Sequence, residues 1–183
     1  MRWMSGWTSF YRSWEVEVCQ QGHIGSRVGN VQRYYARSPA LFVLRPLIGS
    51  WTMRIIWPEK THNLVGESKS IEVPMNFGWA SNGSFLLQTA GGGDAPVSYW
   101  MIGRDDASGA FAALYADSRG VSRLYEMNFV EGLWKIWRAA PGFHQRFAGR
   151  IISDGKRIEA CWEKSEDGSS WERDFDLIYA KCE

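Results

Sequence analysis

Few side chains in this sequence have the types and spacings that metal chemistry requires. The histidines and cysteines are scattered, with no paired ligand spacing among them: His23, His62, His144, Cys19, Cys161 and Cys182. A structural metal ion needs about four converging donors, so we predict no metal site and expect the histidines at the surface. The odd number of cysteines without ligand spacing favours reduced thiols, and with them a cytoplasmic protein. Cys161 and Cys182 are expected too far apart on neighbouring strands to form a disulfide.

The carboxylates offer one pair, Asp105-Asp106, that could serve as a general acid and base. Asp-Asp-x-x-Gly is also good turn chemistry, because aspartate side chains hydrogen-bond to nearby backbone groups, and we favour the turn. Asp117, Arg119 and Arg123 could form a polar cluster near one end of the fold, where we favour a loop-closing ion pair over a site. No Gly-x-Ser-x-Gly elbow or other nucleophile with its base is recognisable. We therefore predict no catalytic residue.

The aromatic residues indicate a different kind of site. They make up 15% of the chain and include 11 tryptophans, and large rings suit both pleated interiors and ligand-contact surfaces. Cavities for small molecules are mostly apolar, with a few placed polar groups. We predict that one face of a sheet presents such a lining, made of Trp51, Met53, Phe111, Tyr115, Tyr125, Met127, Trp134, Gln145, Phe147, Trp162, Phe175 and Tyr179. Its polar members are Tyr115, Tyr125, Gln145 and Tyr179. The pattern leaves open whether the rings enclose a cavity or fill the interior.

Glycine turns between residues 97 and 150 predict the strands that must position this lining. Glu131-Gly132 as a two-residue turn pairs Phe129 with Trp134 and leaves the other face mostly polar. The loop 118–120, with glycine at its left-handed position, pairs the residues on either side of it. Both turns independently place the aromatic side chains of the neighbouring strands on the same face.

The last part of the chain repeats the pattern. Asp154-Gly155 is a strong hairpin signal that pairs Phe147 with Trp162. A turn at 167–170 pairs Glu166 with Trp171 and brings Trp162 opposite Phe175. The opposite face is expected to carry charged residues: Arg146, Arg150, Glu159, Glu163, Glu172, Asp174 and Asp176.

The first half of the chain predicts a short helix and three strands. Ser38-Pro39 is a standard helix start, and Pro46 is expected to end the helix after about two turns. A strand over 50–57 has apolar residues at every odd position. A bent strand follows over 63–79, with a bulge at Gly66 and a break or edge at Pro74.

A hairpin turn at 81–83 then precedes a third strand over 84–90, and 91–96 is read as a flexible loop. That loop is not a phosphate loop, because no helix follows it. The next strand contains Tyr99 and Trp100, which must point in opposite directions, and the sequence does not show which faces inward.

About ten antiparallel strands joined by hairpins normally curl shut to remove their edges. We therefore predict an all-β fold, an antiparallel up-and-down barrel of about ten strands with a short N-terminal helix capping or preceding strand one. The barrel domain covers residues 38–183. Residues 1–37 are expected to be a poorly structured extension, with a partner-binding arm or a misplaced start codon as alternatives.

Several motifs resemble a known group of barrels. A short apolar helix followed by Leu47-Ile48-Gly49-Ser50-Trp51 and a run of hairpins resembles the calycin superfamily, which includes lipocalins, fatty-acid-binding proteins and nitrobindin-like barrels. Four later segments resemble an uncharacterised bacterial branch of lipocalin-like domains: Ile102–Asp106, Tyr115–Val121, Tyr125–Met127 and Asp174–Leu177. The resemblance covers about Ala40 to Cys182 and implies an interior cavity for small apolar molecules.

One departure from that resemblance concerns haem. Nitrobindins carry a Gly-x-Trp-x-Gly-x-Gly motif and a late histidine that holds the iron. Here Met53 and Ile55 occupy the positions of the later glycines, and the final strand, Trp171 to Lys181, has no histidine. Haem would have to recruit His144, which the predicted register places outside. We therefore expect no haem and no other cofactor.

Charge and hydropathy exclude several partners. The formal net charge is +1, so nothing favours nucleic acid or an anionic membrane surface. No apolar run is long enough for a transmembrane helix, and no signal core follows a basic start.

The expected function is binding of a small hydrophobic or aromatic ligand in the barrel interior, without covalent catalysis. One alternative is an enzyme of the isomerase or cyclase type in the same cavity. It would need an interior ionisable group, and the predicted register offers only tyrosines, with Arg138 or Arg173 near the ends. The other is a protein-interaction module using the N-terminal arm or outward-facing Trp137. A homodimer is possible.

Overall fold

Side chains alternate between the interior and the outside along ten strands in a computed structural model of the chain, which describes residues 39–58, 70–80, 83–92 and 95–183. The strands are β1 (Gly49–Ile56), β2 (Ser70–Ala80), β3 (Phe85–Gly92), β4 (Ala95–Arg104), β5 (Phe111–Asp117), β6 (Ser122–Val130), β7 (Leu133–Arg138), β8 (His144–Ile152), β9 (Arg157–Ser165) and β10 (Glu172–Lys181). Each is antiparallel to its neighbours in sequence, and β10 pairs with β1 to close the barrel. The predicted fold class is confirmed. The predicted N-terminal extension at 1–37 lies outside the described residues.

A 3₁₀ helix, Pro39–Leu47, precedes β1 and packs over one end of the barrel. Its buried residues are three leucines spaced three apart, Leu41, Leu44 and Leu47. This spacing fits a helix with three residues per turn, in which such side chains lie on one face. The Trp51 indole donates a 2.8 Å hydrogen bond from Nε1 to the Leu47 carbonyl oxygen, which ties the helix to β1.

The predicted end of the helix at Pro46 is wrong by one residue. The helix continues through Pro46 to Leu47. Proline in the last turn removes only one hydrogen-bond donor, so the helix can pass it at small cost.

The predicted hairpin registers are found in the barrel. Phe129 pairs with Trp134 across the turn at Glu131 and Gly132, and both turn residues have positive φ, as a two-residue turn of this type requires. Phe147 pairs with Trp162. The side chains of one face therefore converge on the interior over most of the barrel.

The register at the start of β10 differs from the prediction. Glu172 pairs with Lys164, which rules out the predicted pairing of Glu166 with Trp171, and a β-bulge between Arg173 and Phe175 restores the predicted register from Phe175 onward. A bulge inserts one residue and re-aims its side chain. Asp174, predicted on the outer face, consequently contributes to the interior cavity described below.

Pro74 interrupts one ladder but not the strand. β2 continues through Pro74 opposite Thr52 of β1, whereas the ladder with β3 ends at Met75 opposite Ala90. A proline lacks the N–H that a ladder on that side would use. The bulge predicted at Gly66 lies outside the described residues.

The loop predicted over 91–96 is shorter than expected. β3 extends to Gly92 and β4 begins at Ala95, which pairs with Gly92 after a register shift. Gly91 has φ +104° and lies against the Pro96 backbone, so a glycine is needed there for close approach.

The half of the barrel beneath the 3₁₀ helix is packed solid. Its fully enclosed side chains include the helix leucines and large residues from several strands: Trp51, Phe77, Leu86, Ile102 and Ile158. This end closes the barrel and leaves the other end for a site.

Candidate functional site

A cavity of about 410 Å³ occupies the half of the barrel opposite the 3₁₀ helix. Its outermost lining comes from the strand ends farthest from that helix, including Trp57 after β1, Ile71 near the start of β2, and Pro96 in β4. The volume falls within the range of small-molecule sites. The barrel interior is therefore partly filled and partly open.

Most of the predicted lining residues surround this cavity: Met53, Tyr115, Tyr125, Trp134, Gln145, Phe147, Trp162, Phe175 and Tyr179. Trp51, Phe111 and Met127 are not in its lining and pack in the core. Their inward orientation agrees with the prediction, but they lie at the closed end. Alternation along a strand identifies the inner face and not the depth at which a side chain sits.

Trp100 faces inward and completes an aromatic cluster. The sequence had left open whether Trp100 or Tyr99 takes this position. Its ring centroid lies 4.9 Å from that of Tyr115, 5.1 Å from Tyr125 and 6.3 Å from Trp162. Tyr99 points outward and is 54% exposed. The deciding signal is the pairing of Trp100 with Tyr115 across β4 and β5, which the loop between those strands did not reveal.

The wall across the barrel from this cluster includes several aliphatic side chains. Around the closed sheet β1 lies five strands from β6 in either direction, so Met53 and Ile55 of β1 face the β6 side. Val73 of β2 and Leu177 of β10 extend the same wall. Trp57, Phe175 and Tyr179 lie on the same side, so rings and aliphatic side chains are mixed on this wall.

Asp117 organises a polar cluster at the open end. Its enclosed carboxylate accepts a 2.6 Å hydrogen bond from the Tyr115 hydroxyl and forms a 2.6 Å ion pair with Arg119. These donors, Arg119 first, hold the pKa of Asp117 far below its ordinary value. Burial and the bond to Asp117 raise the pKa of Tyr115 to about 12. The expectation that Asp117 and Arg119 form a loop-closing ion pair is met.

A second polar group joins Tyr125, Gln145 and Arg123. The Tyr125 hydroxyl donates to Gln145 Oε1 at 2.7 Å, and Arg123 Nη1 donates to the same oxygen at 3.4 Å. The Arg123 guanidinium also lies 5.0 Å from the centre of the Phe143 ring. Burial raises the pKa of Tyr125. Because Gln145 Oε1 already accepts these bonds, Tyr125 and Gln145 are held in place by the protein itself.

The bulge in β10 places one carboxylate in the lining. Asp174 forms a 3.3 Å ion pair with Lys164, which also lies 3.5 Å from Glu172. Sequence alternation misses Asp174 because no glycine or proline marks the bulge. The interior thus contains an ionisable group that the predicted register did not include.

Three inner polar groups lack partners among the residues that the structure describes. Gln88 and Tyr179, 5% and 3% exposed, line the cavity, and their side chains make no hydrogen bond to that part of the chain. Trp134 Nε1 is enclosed and likewise has no acceptor there. Burial alone raises the pKa of Tyr179 far above its ordinary value.

No cluster of histidine, cysteine, aspartate or glutamate within the described ranges could hold a metal ion. His144 is not part of the cavity lining, and its Nδ1 accepts a 3.3 Å hydrogen bond from the Ala140 amide. Among the described residues of the lining there is therefore no histidine that could hold haem iron. His23, His62 and Cys19 lie outside the described residues.

The Asp105-Asp106 pair is a turn. Asp105 Oδ1 accepts hydrogen bonds from the Ser108 amide and hydroxyl at 2.6 and 2.8 Å, on an exposed loop. These bonds lower the pKa of Asp105.

Among the helices described, none is long and apolar enough to cross a membrane.

Comparisons with known proteins support the fold. No protein-family model matches the chain, and no curated protein matches it. Among solved structures, the chain is similar to the one titled "Crystal Structure of Rv2717c from M. tuberculosis", with a TM-score of 0.52 and 16% sequence identity. The match covers 80% of this chain and 99% of that one. At this identity the likeness extends to the fold alone.

Proposed function

We propose that the protein binds a small hydrophobic or aromatic molecule in the open half of its barrel, without covalent catalysis. One observation carries this proposal: an aromatic-lined cavity of about 410 Å³ at one end of a barrel whose other end is packed solid. A barrel that needed only a core could fill both ends with side chains. The unfilled half is therefore the part of the interior suited to a ligand.

Affinity would come mainly from burial of apolar surface. Such burial contributes about 25 cal/mol per Å² before the cost of lost translational and rotational freedom. Trp100 and Trp162 belong to the ring cluster of the lining, and contact of an aromatic ligand with such rings would add about 0.5–1.5 kcal/mol beyond area. The hydrogen bond that Tyr115 donates to Asp117 holds the Tyr115 ring of the same cluster in place, which reduces the side-chain ordering needed on binding.

Native mass spectrometry of the purified protein would detect a co-purified small molecule. The neutral fluorophore N-phenyl-1-naphthylamine then serves as a probe in a titration. We expect saturable binding, weakened about 10-fold or more in Trp162→Ala, because truncating a central aromatic contact costs on the order of 1.4 kcal/mol or more.

Trp137→Ala is the matched control, since Trp137 lies on the outer face and is 36% exposed. Its affinity should equal that of the wild type. No saturable binding of any apolar probe, or equal loss in both variants, would contradict the proposal.

Asp174 favours a second candidate, an isomerase or cyclase that uses the same cavity. Its carboxylate lines the cavity and could exchange a proton with a bound substrate. The ion pair with Lys164 supports a structural role instead. An Asp174→Asn variant that binds ligands normally but loses turnover of a co-purified molecule would support the enzyme.

We also infer membership of the calycin superfamily, close to its lipocalin-like branch, and a cytoplasmic location. The closed ten-stranded barrel with its helix before β1 supports the first inference. Cys161 pairs with Asp176, several residues along β10 from Cys182, so these two thiols are not placed to form a disulfide. A homodimer, the absence of nucleic-acid binding and the interaction-module alternative stay predictions.

A further inference from the structure

We propose that the bound molecule carries a neutral hydrogen-bond acceptor, such as a carbonyl oxygen, at its inner end, and that the Tyr179 hydroxyl donates to this atom. This inference rests on the proposed function and adds a chemical class to it. It rests on one difference: the hydroxyls of the other two tyrosines of the lining donate to protein acceptors, and the Tyr179 hydroxyl does not.

Tyr179 is the tyrosine of the lining whose hydroxyl has no partner in the described part of the chain. The Tyr115 hydroxyl donates to Asp117, and the Tyr125 hydroxyl donates to Gln145. Tyr179 is 3% exposed and lines the cavity, yet it makes no such bond. Because this side chain lines the cavity, an acceptor on a bound molecule can replace water as the partner of its hydroxyl.

The ring that contacts Tyr179 in the described part of the chain offers it no acceptor. The Trp134 ring lies 6.3 Å from the Tyr179 ring, and its Nε1 has no acceptor among the described residues. Phe77 packs edge-on against Trp134 at 5.8 Å and pairs with Gln88 across β2 and β3. Gln88 is another polar group of the lining, and its amide is also without a protein partner in the described ranges. The ring contact with Trp134, whose indole can only donate, therefore supplies no acceptor for the Tyr179 hydroxyl.

The acceptor should be neutral because the side chains that neighbour Tyr179 on the adjacent strands are uncharged and could not stabilise an ionic group. Tyr179 pairs with Ile158 and Met53 in the neighbouring strands, both apolar. Burial raises its pKa far above the ordinary value, so the hydroxyl stays protonated and able to donate. The cations of the lining, Arg119 and Arg123, lie at the open end. A charged group on a ligand would therefore stay at the mouth while a neutral acceptor enters.

Two matched probes test this inference: 2-acetylnaphthalene, which has a carbonyl oxygen, and 2-isopropenylnaphthalene, which has a methylene group in its place. Dissociation constants are measured by tryptophan fluorescence for the wild type and for Tyr179→Phe. We expect Tyr179→Phe to weaken the ketone by about 3- to 10-fold, the usual effect of one neutral hydrogen bond, and to leave the alkene unchanged. Tyr99→Phe on the outer face is the control and should alter neither affinity.

A second measurement does not depend on the variant. The carbonyl ¹³C resonance of labelled 2-acetylnaphthalene bound to the wild-type protein should lie downfield of its position in cyclohexane, as in a hydrogen-bonded ketone. A cyclohexane-like shift, or equal ketone affinity in wild type and Tyr179→Phe, would overturn the inference while alkene binding still upheld the proposed function. If neither probe binds at all, the proposed function fails first and the inference falls with it.

Discussion

At the scale of single residues, two tryptophans show how the same side chain serves different ends of the barrel. Trp51 is enclosed at the closed end and bonds to the 3₁₀ helix, whereas Trp162 lies in the cavity among Trp100, Tyr125 and Phe147. Both were predicted to face inward, and both do. Their depth depends on how far along its strand each one lies, so the two should respond differently to substitution.

Trp51→Phe should lower the free energy of unfolding by about 1–3 kcal/mol, because it leaves the Leu47 carbonyl oxygen without its buried donor and removes ring volume. Binding of N-phenyl-1-naphthylamine by the folded protein should be unchanged. Urea denaturation and a fluorescence titration measure the two quantities. A loss of affinity without a loss of stability would place Trp51 in the binding site and contradict the account.

Asp117 makes stability depend on pH in a predictable direction. Its folded-state pKa lies far below the ordinary value of 3.8, chiefly because Arg119 and then Tyr115 donate to the carboxylate. The unfolded chain therefore binds a proton more readily, and the stabilisation present above pH 3.8 is lost as the pH falls below it.

We expect Asp117→Asn to be less stable than the wild type at pH 7 and to show a shallower fall in stability below pH 3.8. Thermal unfolding at a series of pH values measures this slope. Asp106→Asn, on an exposed loop, is the control and should follow the wild type. Parallel curves for wild type and Asp117→Asn would show that the carboxylate contributes nothing to the acid transition.

At the scale of strands and turns, much of the fold could be predicted because turns fix register. Glu131-Gly132 determines which residues of β6 and β7 face inward, since a one-residue slip would reverse every side chain. The bulge at Asp174 could not be predicted, because the residues around it are ordinary for a strand. It is visible only in the pairing of β10 with β9, where the register shifts between Arg173 and Phe175.

Gly149 tests the packing between strands. A Cβ atom at this position would lie 2.9 Å from Phe147 Cζ and 3.1 Å from Ala160 Cβ. Gly149→Ala should therefore overpack the interior and lower the free energy of unfolding by about 1–3 kcal/mol, as measured by urea denaturation.

Gly103→Ala is the matched control, since its added Cβ would meet only the Phe85 ring at 3.4 Å. It should be neutral or stabilising by up to about 1 kcal/mol, because alanine restricts the unfolded chain. Equal effects of the two substitutions would mean that the close contacts at Gly149 relax without cost.

At the scale of the whole molecule, the barrel is divided into a packed half and an open half. The sequence could not decide between a filled and an open interior, because the same alternation produces both. The outcome depends on where large side chains lie along the strands. Trp51, Phe77 and Phe129 occupy one end, while short side chains such as Ala90 leave space at the other. Function is therefore assigned to one half of the molecule.

Methionine methyl groups test that assignment most directly, because they report from three environments in one spectrum. Met53 lines the cavity, Met127 is buried in the core outside it, and Met101 faces outward. In ¹H–¹³C spectra of methyl-labelled protein titrated with N-phenyl-1-naphthylamine, the Met53 signal should shift saturably while those of Met127 and Met101 stay in place. A saturable shift at Met101 with none at Met53 would place the ligand on the outside of the barrel and contradict the account.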